Sequence, residues 1–312
     1  MDTRLQSIDP QVAKGATPAA VMGYAIGLVK MEERRVRRIL VLGRDPTVLG
    51  WLRDAALGTQ CVVERCDGSA EALRRMRRRS FDVVLTSPRA TVDGNLAFLR
   101  EMRTIRPGIK AIVLAPAATA DDVIAALRAN AFAYFSPPFD GAEVTRMLSQ
   151  ALEADDWQND VEVLSARRDW ITLRVSCRRL TAERLVHFME GLRSDLPDQQ
   201  RDELILAFRE ILMNAMEHGA GFDPEKVVEV QAVRTARAIV FHFRDPGAGF
   251  RIDALPHAAV SSPSEDPLAH VEYREAHGMR PGGFGILLAR KLVNELIYNE
   301  HGNEVVLIKH ML

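Results

Sequence analysis

The chain has 312 residues, 47% of them hydrophobic and 27% charged, which is enough for two globular domains of ordinary composition. Lys+Arg 41 against Asp+Glu 42 leave a formal net charge of -1, so no basic face dominates and no direct DNA binding is expected. Three cysteines without a CxxC pair (Cys61, Cys66 and Cys177) exclude a disulfide framework and fit buried small hydrophobes in a reducing cytoplasm.

In chain order, residues 1–36 read as an N-terminal extension. Its apolar stretch Ala16–Val29 is too short to span a bilayer and is interrupted by Pro18, Gly23 and Gly27. It also lacks the pattern of a secretory signal, so no membrane association is expected. A short helix is expected there, running into the basic segment Glu32–Arg38. Two readings stand side by side: a dimerising or docking element, giving a homodimer, or a helix packed on its own domain.

Residues 37–152 alternate between strand and helix patterns. Ile39–Leu42, Phe81–Leu85 and Ala111–Leu114 are continuous apolar runs, as in strands buried on both faces. Helical segments are expected at Thr47–Ala56, Ser69–Arg79, Asn95–Arg106, Ala120–Asn130 and Gly141–Leu152. This alternation implies a parallel sheet covered on both sides. The run Arg74–Arg79 lies near a helix C-terminus and reads as a solvated, dipole-matched end.

Residues 153–160 are acidic and without periodicity, and form the expected linker. In residues 161–312 the pattern changes. Trp170–Ser176, Val227–Val233 and Ala238–Phe243 alternate as strands, and Leu180–Leu192 and Arg201–His218 read as long helices. The stretch 251–280 has no strong periodicity and reads as a long lid or binding loop. A helix at Phe284–Leu292 and strands at Leu296–Asn299 and Glu304–Lys309 close the chain, with Gly302-Asn303 expected as a tight hairpin turn. The layout is α+β: helices on one face of a mixed, mostly antiparallel sheet.

Three stretches of this second unit carry chemistry. Glu210 and Asn214 are four apart on one helix and share a face. The carboxamide of Asn214 is a neutral oxygen ligand suited to Mg²⁺, and Glu210 can orient or deprotonate a nucleophile. Asp245 ends an apolar strand, beside Gly247 and Gly249, whose freedom lets the backbone turn and approach a ligand. Gly282-Gly283-Phe284-Gly285 opens a helix whose free amides suit an anion, with Arg280 as an added phosphate contact. Each alone has a plain structural reading: a solvated helix face, an Asp-Pro-Gly turn, a glycine-rich turn.

In order and spacing the three together resemble the N, G1 and G2 boxes of the GHKL (Bergerat-fold) ATPases. The resemblance implies bound ATP and Mg²⁺, with Asn214 on the metal, Asp245 on the adenine amino group, Glu210 as base and 251–280 as the ATP lid. Within that family, Glu210–Gly219, Asp245–Phe250 and Gly283–Met311 look like the bacterial anti-sigma-factor serine kinases. That implies transfer to a serine or threonine of a STAS-type anti-anti-sigma protein, or capture of a sigma factor; the alternative is an ATP-dependent protein-binding module without catalysis. His187 lacks the flanking residues of a phospho-accepting histidine, so cis autophosphorylation is not expected.

Residues 37–152 resemble a response-regulator receiver domain, in the order of elements and in Phe81–Thr86, Asp93-Gly94-Asn95 and Tyr134–Phe139. The resemblance implies a flavodoxin-like fold with a five-stranded parallel sheet. It also implies that the receiver's chemistry is missing. The acidic pair reads Gly43 and Arg44 with only Asp45 kept, the phospho-acceptor reads Ser87, the hydroxyl Ala115 and the lysine Pro137.

Overall fold

The computed structural model describes residues 36–56, 61–116, 119–154, 157, 160–192, 196–251, 268–278 and 283–311. The candidate helix at Ala16–Val29 lies outside the described residues.

The N-terminal unit runs β1 (Arg37–Leu42), α1 (Pro46–Ala56), β2 (Cys61–Cys66), α2 (Ser69–Arg78), β3 (Val83–Leu85), α3 (Val92–Ile105), β4 (Lys110–Leu114), α4 (Ala120–Arg128), β5 (Ala133–Phe135) and α5 (Gly141–Glu153). All pairings are parallel and the strand order is β2-β1-β3-β4-β5, the doubly wound arrangement. Helices on both faces explain the continuous apolar runs: every residue of β3 and β4 is buried. α3 begins three residues before the expected start, because Thr91 caps it by accepting from the Gly94 amide at 3.1 Å. In the basic run, Arg75 and Arg79 pair with Glu64 of β2, and Arg75 also with Glu71.

The C-terminal unit runs β6 (Val161–Arg167), β7 (Trp170–Ser176), α6 (Arg179–Leu192), α7 (Asp198–Asn214), a π-helical turn (Ala215–Gly219), β8 (Val227–Arg234), β9 (Ala238–Arg244), α8 (Ala269–Ala276), α9 (Gly285–Leu292), β10 (Glu295–Tyr298) and β11 (Glu304–His310). The sheet order is β10-β11-β9-β8-β7-β6, and every pair is antiparallel, with no mixed pairing among the described strands. Burial alternates along β8 and β9, so one face meets the helices and the other does not. On the inner face Phe208 of α7 packs against Phe241 and Phe243, with ring centroids 4.8 and 5.1 Å away.

Two expectations change. The polar stretch 251–280 contains a helix, α8. The β10–β11 connection is a five-residue loop, not a two-residue turn. Its first residue, Asn299, accepts from the amides of Gly302, Asn303 and Glu304 at 2.7, 3.2 and 3.2 Å, and Gly302 takes φ +80.

The units share a joint. α6 packs on α4 and β5 on one side and on α7 on the other. At its centre Arg184 is 1% exposed. Its Nε and Nη2 donate to the carbonyls of Phe132 and Ala131 at 3.0 and 3.1 Å, and its guanidinium lies over the rings of Phe132 and Trp157. Burial pulls the Arg184 pKa down to about 10, so it stays charged at neutral pH. Arg128 adds a bond from Nη2 to the Ala166 carbonyl at 2.6 Å.

Candidate nucleotide-binding site

α7 delivers Glu210 and Asn214 to its C-terminal end, on the face where α9 packs. The two helices touch through Gly285: a Cβ there would stand 2.8 Å from Glu210 Oε2 and 3.3 Å from Asn214 Nδ2. The first and third sequence stretches, some seventy residues apart, therefore meet at side-chain contact distance. Gly285 is the first residue of α9, so the unsatisfied amides of that helix start beside the carboxylate and carboxamide.

The second stretch joins through the π turn. Widening of the helix after Asn214 carries Gly219 against Asp245, where a Cβ would stand 2.3 Å from the carboxylate carbon. Gly247 is equally confined, with a Cβ falling 2.9 Å from the Gly219 backbone. Asp245 Oδ1 accepts from the Gly247 amide at 2.8 Å, and the Asp245 amide donates to the Asn303 carbonyl at 3.0 Å. Burial raises the Asp245 pKa above the ordinary carboxylate value, and the Gly247 N–H opposes the shift. Nearby, burial and then the Asp245 charge push the Tyr298 phenol upward.

Gly249 also makes a close contact within the protein. At φ +79, a Cβ on it would fall 1.8 Å from the His301 carbonyl oxygen. Reciprocally, a Cβ on Gly302 would fall 1.9 Å from the Phe250 carbonyl oxygen. The glycine thus brings the loop after β9 onto the β10–β11 loop, backbone to backbone. Gly283 takes φ +93, and Phe284, 47% exposed, precedes α9 with its ring edge-on to the fully buried His270 of α8 at 4.5 Å. Arg280 and Gly282 lie outside the described residues. His270 was given no role from sequence, Gly219 was legible only as the end of the Glu210–Gly219 stretch, and Asn303 only as a turn residue.

The donor set fits Mg²⁺ and a phosphate ester: oxygen ligands on Glu210 and Asn214, backbone amides at α9, and a cradle at Gly285 that a single Cβ would fill. Asp245 supplies an acceptor at the other end of the π turn.

Residues 176–309 match the family model described as a histidine kinase-like ATPase domain. The C-terminal unit carries a histidine kinase-like ATPase domain. Such a domain implies ATP binding, usually with Mg²⁺. The N-terminal unit is receiver-like. It matches the transcriptional regulatory protein ZraR of Klebsiella oxytoca at 27% identity over 114 residues, which are 36% of this chain and 26% of that protein. The transcriptional regulatory protein GlrR of Escherichia coli (strain K12) matches at 24% over 115 residues, 37% of this chain. The chain therefore spans about a quarter (26%) of the length of the curated relatives it matches. A CheY-like response regulator receiver domain protein from Methanospirillum hungatei JF-1 is 21% identical, with TM-score 0.34, covering 38% of this chain and 94% of its own. A receiver domain protein from Clostridium thermocellum is 25% identical with TM-score 0.33, over 38% of this chain and 94% of its own. The receiver-like fold rests on the parallel β2-β1-β3-β4-β5 order itself. Among the described residues, no helix is long and apolar enough to cross a membrane.

The receiver-like cleft holds none of the expected carboxylate pair. Gly43, at φ +86, faces Ser87, and a Cβ on it would stand 3.0 Å from the Ser87 hydroxyl. Arg44 turns to Asp67 at 2.8 Å, and Asp45 Oδ1 caps α1 by accepting from the Thr47 amide at 3.0 Å. Asp45 Oδ2 lies 3.5 Å from Arg89.

Proposed function

We propose that this protein is an ATP-binding regulatory switch of the anti-sigma-factor serine/threonine kinase type. In this reading it transfers the γ-phosphoryl group of ATP to a hydroxyl of a STAS-type partner, and its receiver-like domain regulates without accepting phosphate. The observation that carries the reading is the contact of Gly285 with both Glu210 and Asn214, which joins a carboxylate, a carboxamide and a helix N-terminus in one cradle.

Asn214 would hold Mg²⁺, the α9 amides would hold the phosphates, and Asp245 would accept from the adenine amino group. Mg²⁺ supplies neutralisation of phosphate charge. Glu210 takes the proton of the incoming serine or threonine hydroxyl, and its retention favours catalysis over simple capture. The non-catalytic reading keeps the same ATP site and replaces transfer by nucleotide-dependent capture of a sigma factor or another switch protein.

Incubation with γ-labelled ATP, Mg²⁺ and a purified STAS protein separates the two. Label on a STAS serine or threonine supports the kinase; tight complex formation with no transfer sinks it in favour of capture. In the same assay Asn214→Ala should weaken Mg·ATP binding by about a hundredfold or more, on the scale of a lost metal contact. Unchanged affinity by calorimetry would remove the site from this position.

A further inference from the structure

The joint between the two domains brings together Glu143 of α5 in the receiver-like domain and His187 and Glu190 of α6 in the ATPase domain. Their ligand atoms all lie within 4.8 Å of one another. His187 is 8% exposed and lies far from any role in nucleotide binding. Its Nε2 is 2.8 Å from the Tyr134 carbonyl oxygen, and its Nδ1 is 3.0 Å from Glu143 Oε1. A carbonyl can only accept, so Nε2 carries a proton. In the neutral ring Nδ1 is then an acceptor, and it faces another acceptor, the Glu143 carboxylate. Two lone pairs at that distance need something between them: a shared proton or a cation.

We infer that Glu143, His187 and Glu190 form a divalent-cation site of the zinc class that clamps the receiver-like domain to the ATPase domain. A metal-binding histidine characteristically donates its other ring N–H to a backbone carbonyl, which fixes the tautomer and turns the free nitrogen to the ion. His187 is already held in that way by Tyr134. One imidazole nitrogen and two carboxylates match the donor preference of Zn²⁺, whereas the imidazole disfavours Mg²⁺. Glu190 stands one helical turn beyond His187, so both reach the same side of α6 while Glu143 approaches from the other domain. Arg146 is the competing cation: it lies 3.7 Å from Glu143 Oε1, and it also reaches Glu183 at 3.5 Å, a second partner that retains it when the ion enters.

Binding balances simply. The proton shared by His187 Nδ1 and Glu143 leaves to solvent, and the ion takes its place. The test uses the full chain, stripped with a chelator and titrated with zinc chloride in the presence of excess Mg·ATP, which occupies the nucleotide site. Calorimetry should give one Zn²⁺ per chain, with affinity weakening toward acid pH, where protons compete with the ion for its ligands. Glu190→Gln and His187→Gln should each weaken binding by about a hundredfold or more, beyond the 10–100-fold of an outer-shell loss. Zinc should raise the Tm of the parent protein and leave that of Glu190→Gln unchanged. Glu190→Gln, at the edge of the joint, keeps the test valid should His187→Gln fail to fold. Equal zinc affinity in parent and Glu190→Gln, or no uptake by the parent, overturns the site and leaves a proton-sharing pair.

Discussion

The protein has two clefts built for phosphate chemistry by fold, and they have been filled in opposite ways. At the carboxyl ends of the receiver-like strands, side chains close the cleft on itself: Ser87 faces the bare Gly43, Arg44 turns away to Asp67, and Asp45 is committed to capping α1 and to Arg89. In the ATPase domain, glycines let polar groups approach closely: Gly285 lies against Glu210 and Asn214, and Gly219 against Asp245, at positions where a single added Cβ would collide. The fold alone distinguishes neither. What differs is whether the polar side chains pair off with one another or are gathered around glycines.

Substitutions can break that contrast, beginning with the largest effect. Glu210→Gln keeps the shape of the side chain while removing the proposed base, so the proposed phosphoryl transfer should fall by about 10²–10⁴-fold with ATP affinity nearly unchanged. Steady-state rates beside calorimetry measure both; an equal loss in binding would make Glu210 a ligand and not a base. Gly249→Ala must place a side chain at positive φ and into the His301 carbonyl, so a stability loss of about 2–4 kcal/mol is expected from urea unfolding. A loss under half that would show the two loops to be freely separable.

Asp245→Asn gives a smaller effect of opposite sign. Because burial raises the folded-state pKa of Asp245, its ionised form is disfavoured by folding, and this contribution is favourable only below its ordinary value of 3.8 and lost as pH rises through the higher folded value. Asp245→Asn should therefore raise the Tm slightly near neutral pH, with the gain fading toward pH 3.8, while weakening ATP binding. A Tm difference independent of pH would remove the ionised carboxylate as its cause. The smallest effect is expected in the closed cleft: Ser87→Asp restores an acceptor yet leaves Pro137 at the lysine position, so incubation with acetyl phosphate should add no phosphate by intact mass. A stoichiometric mass gain would reopen that cleft as a phosphorylation site.

Much of this was legible in the sequence, for physical reasons that also mark where legibility ended. Ile39–Leu42 and Ala111–Leu114 could be read because burial on both faces leaves an unbroken apolar run. The edge strand β2 carries Glu64 and Arg65 and has only one fully buried residue, and β6 is an edge strand with a register shift between Val163 and Ser165; neither presents a periodic signal. α8 was hidden because its eight residues, AHVEYREA, are few and mostly polar, with no apolar stripe to mark a helix. The residue types of the site were legible, but the partner of each glycine was not. That Gly249 lies against a carbonyl more than fifty positions away could not be read from its local sequence. The Arg184 joint left no trace at all, since its acceptors are main-chain carbonyls, which every sequence possesses.

Arg184 also has a mechanical consequence. Two domains strung on a linker, pulled from their ends, give way as two separate ruptures. Here a buried guanidinium threads one domain's helix into the carbonyls of the other, and the apolar residues on both sides form a continuous core. Stretched in an optical trap, the two domains should yield in one cooperative rip, and Arg184→Ala should split that rip in two.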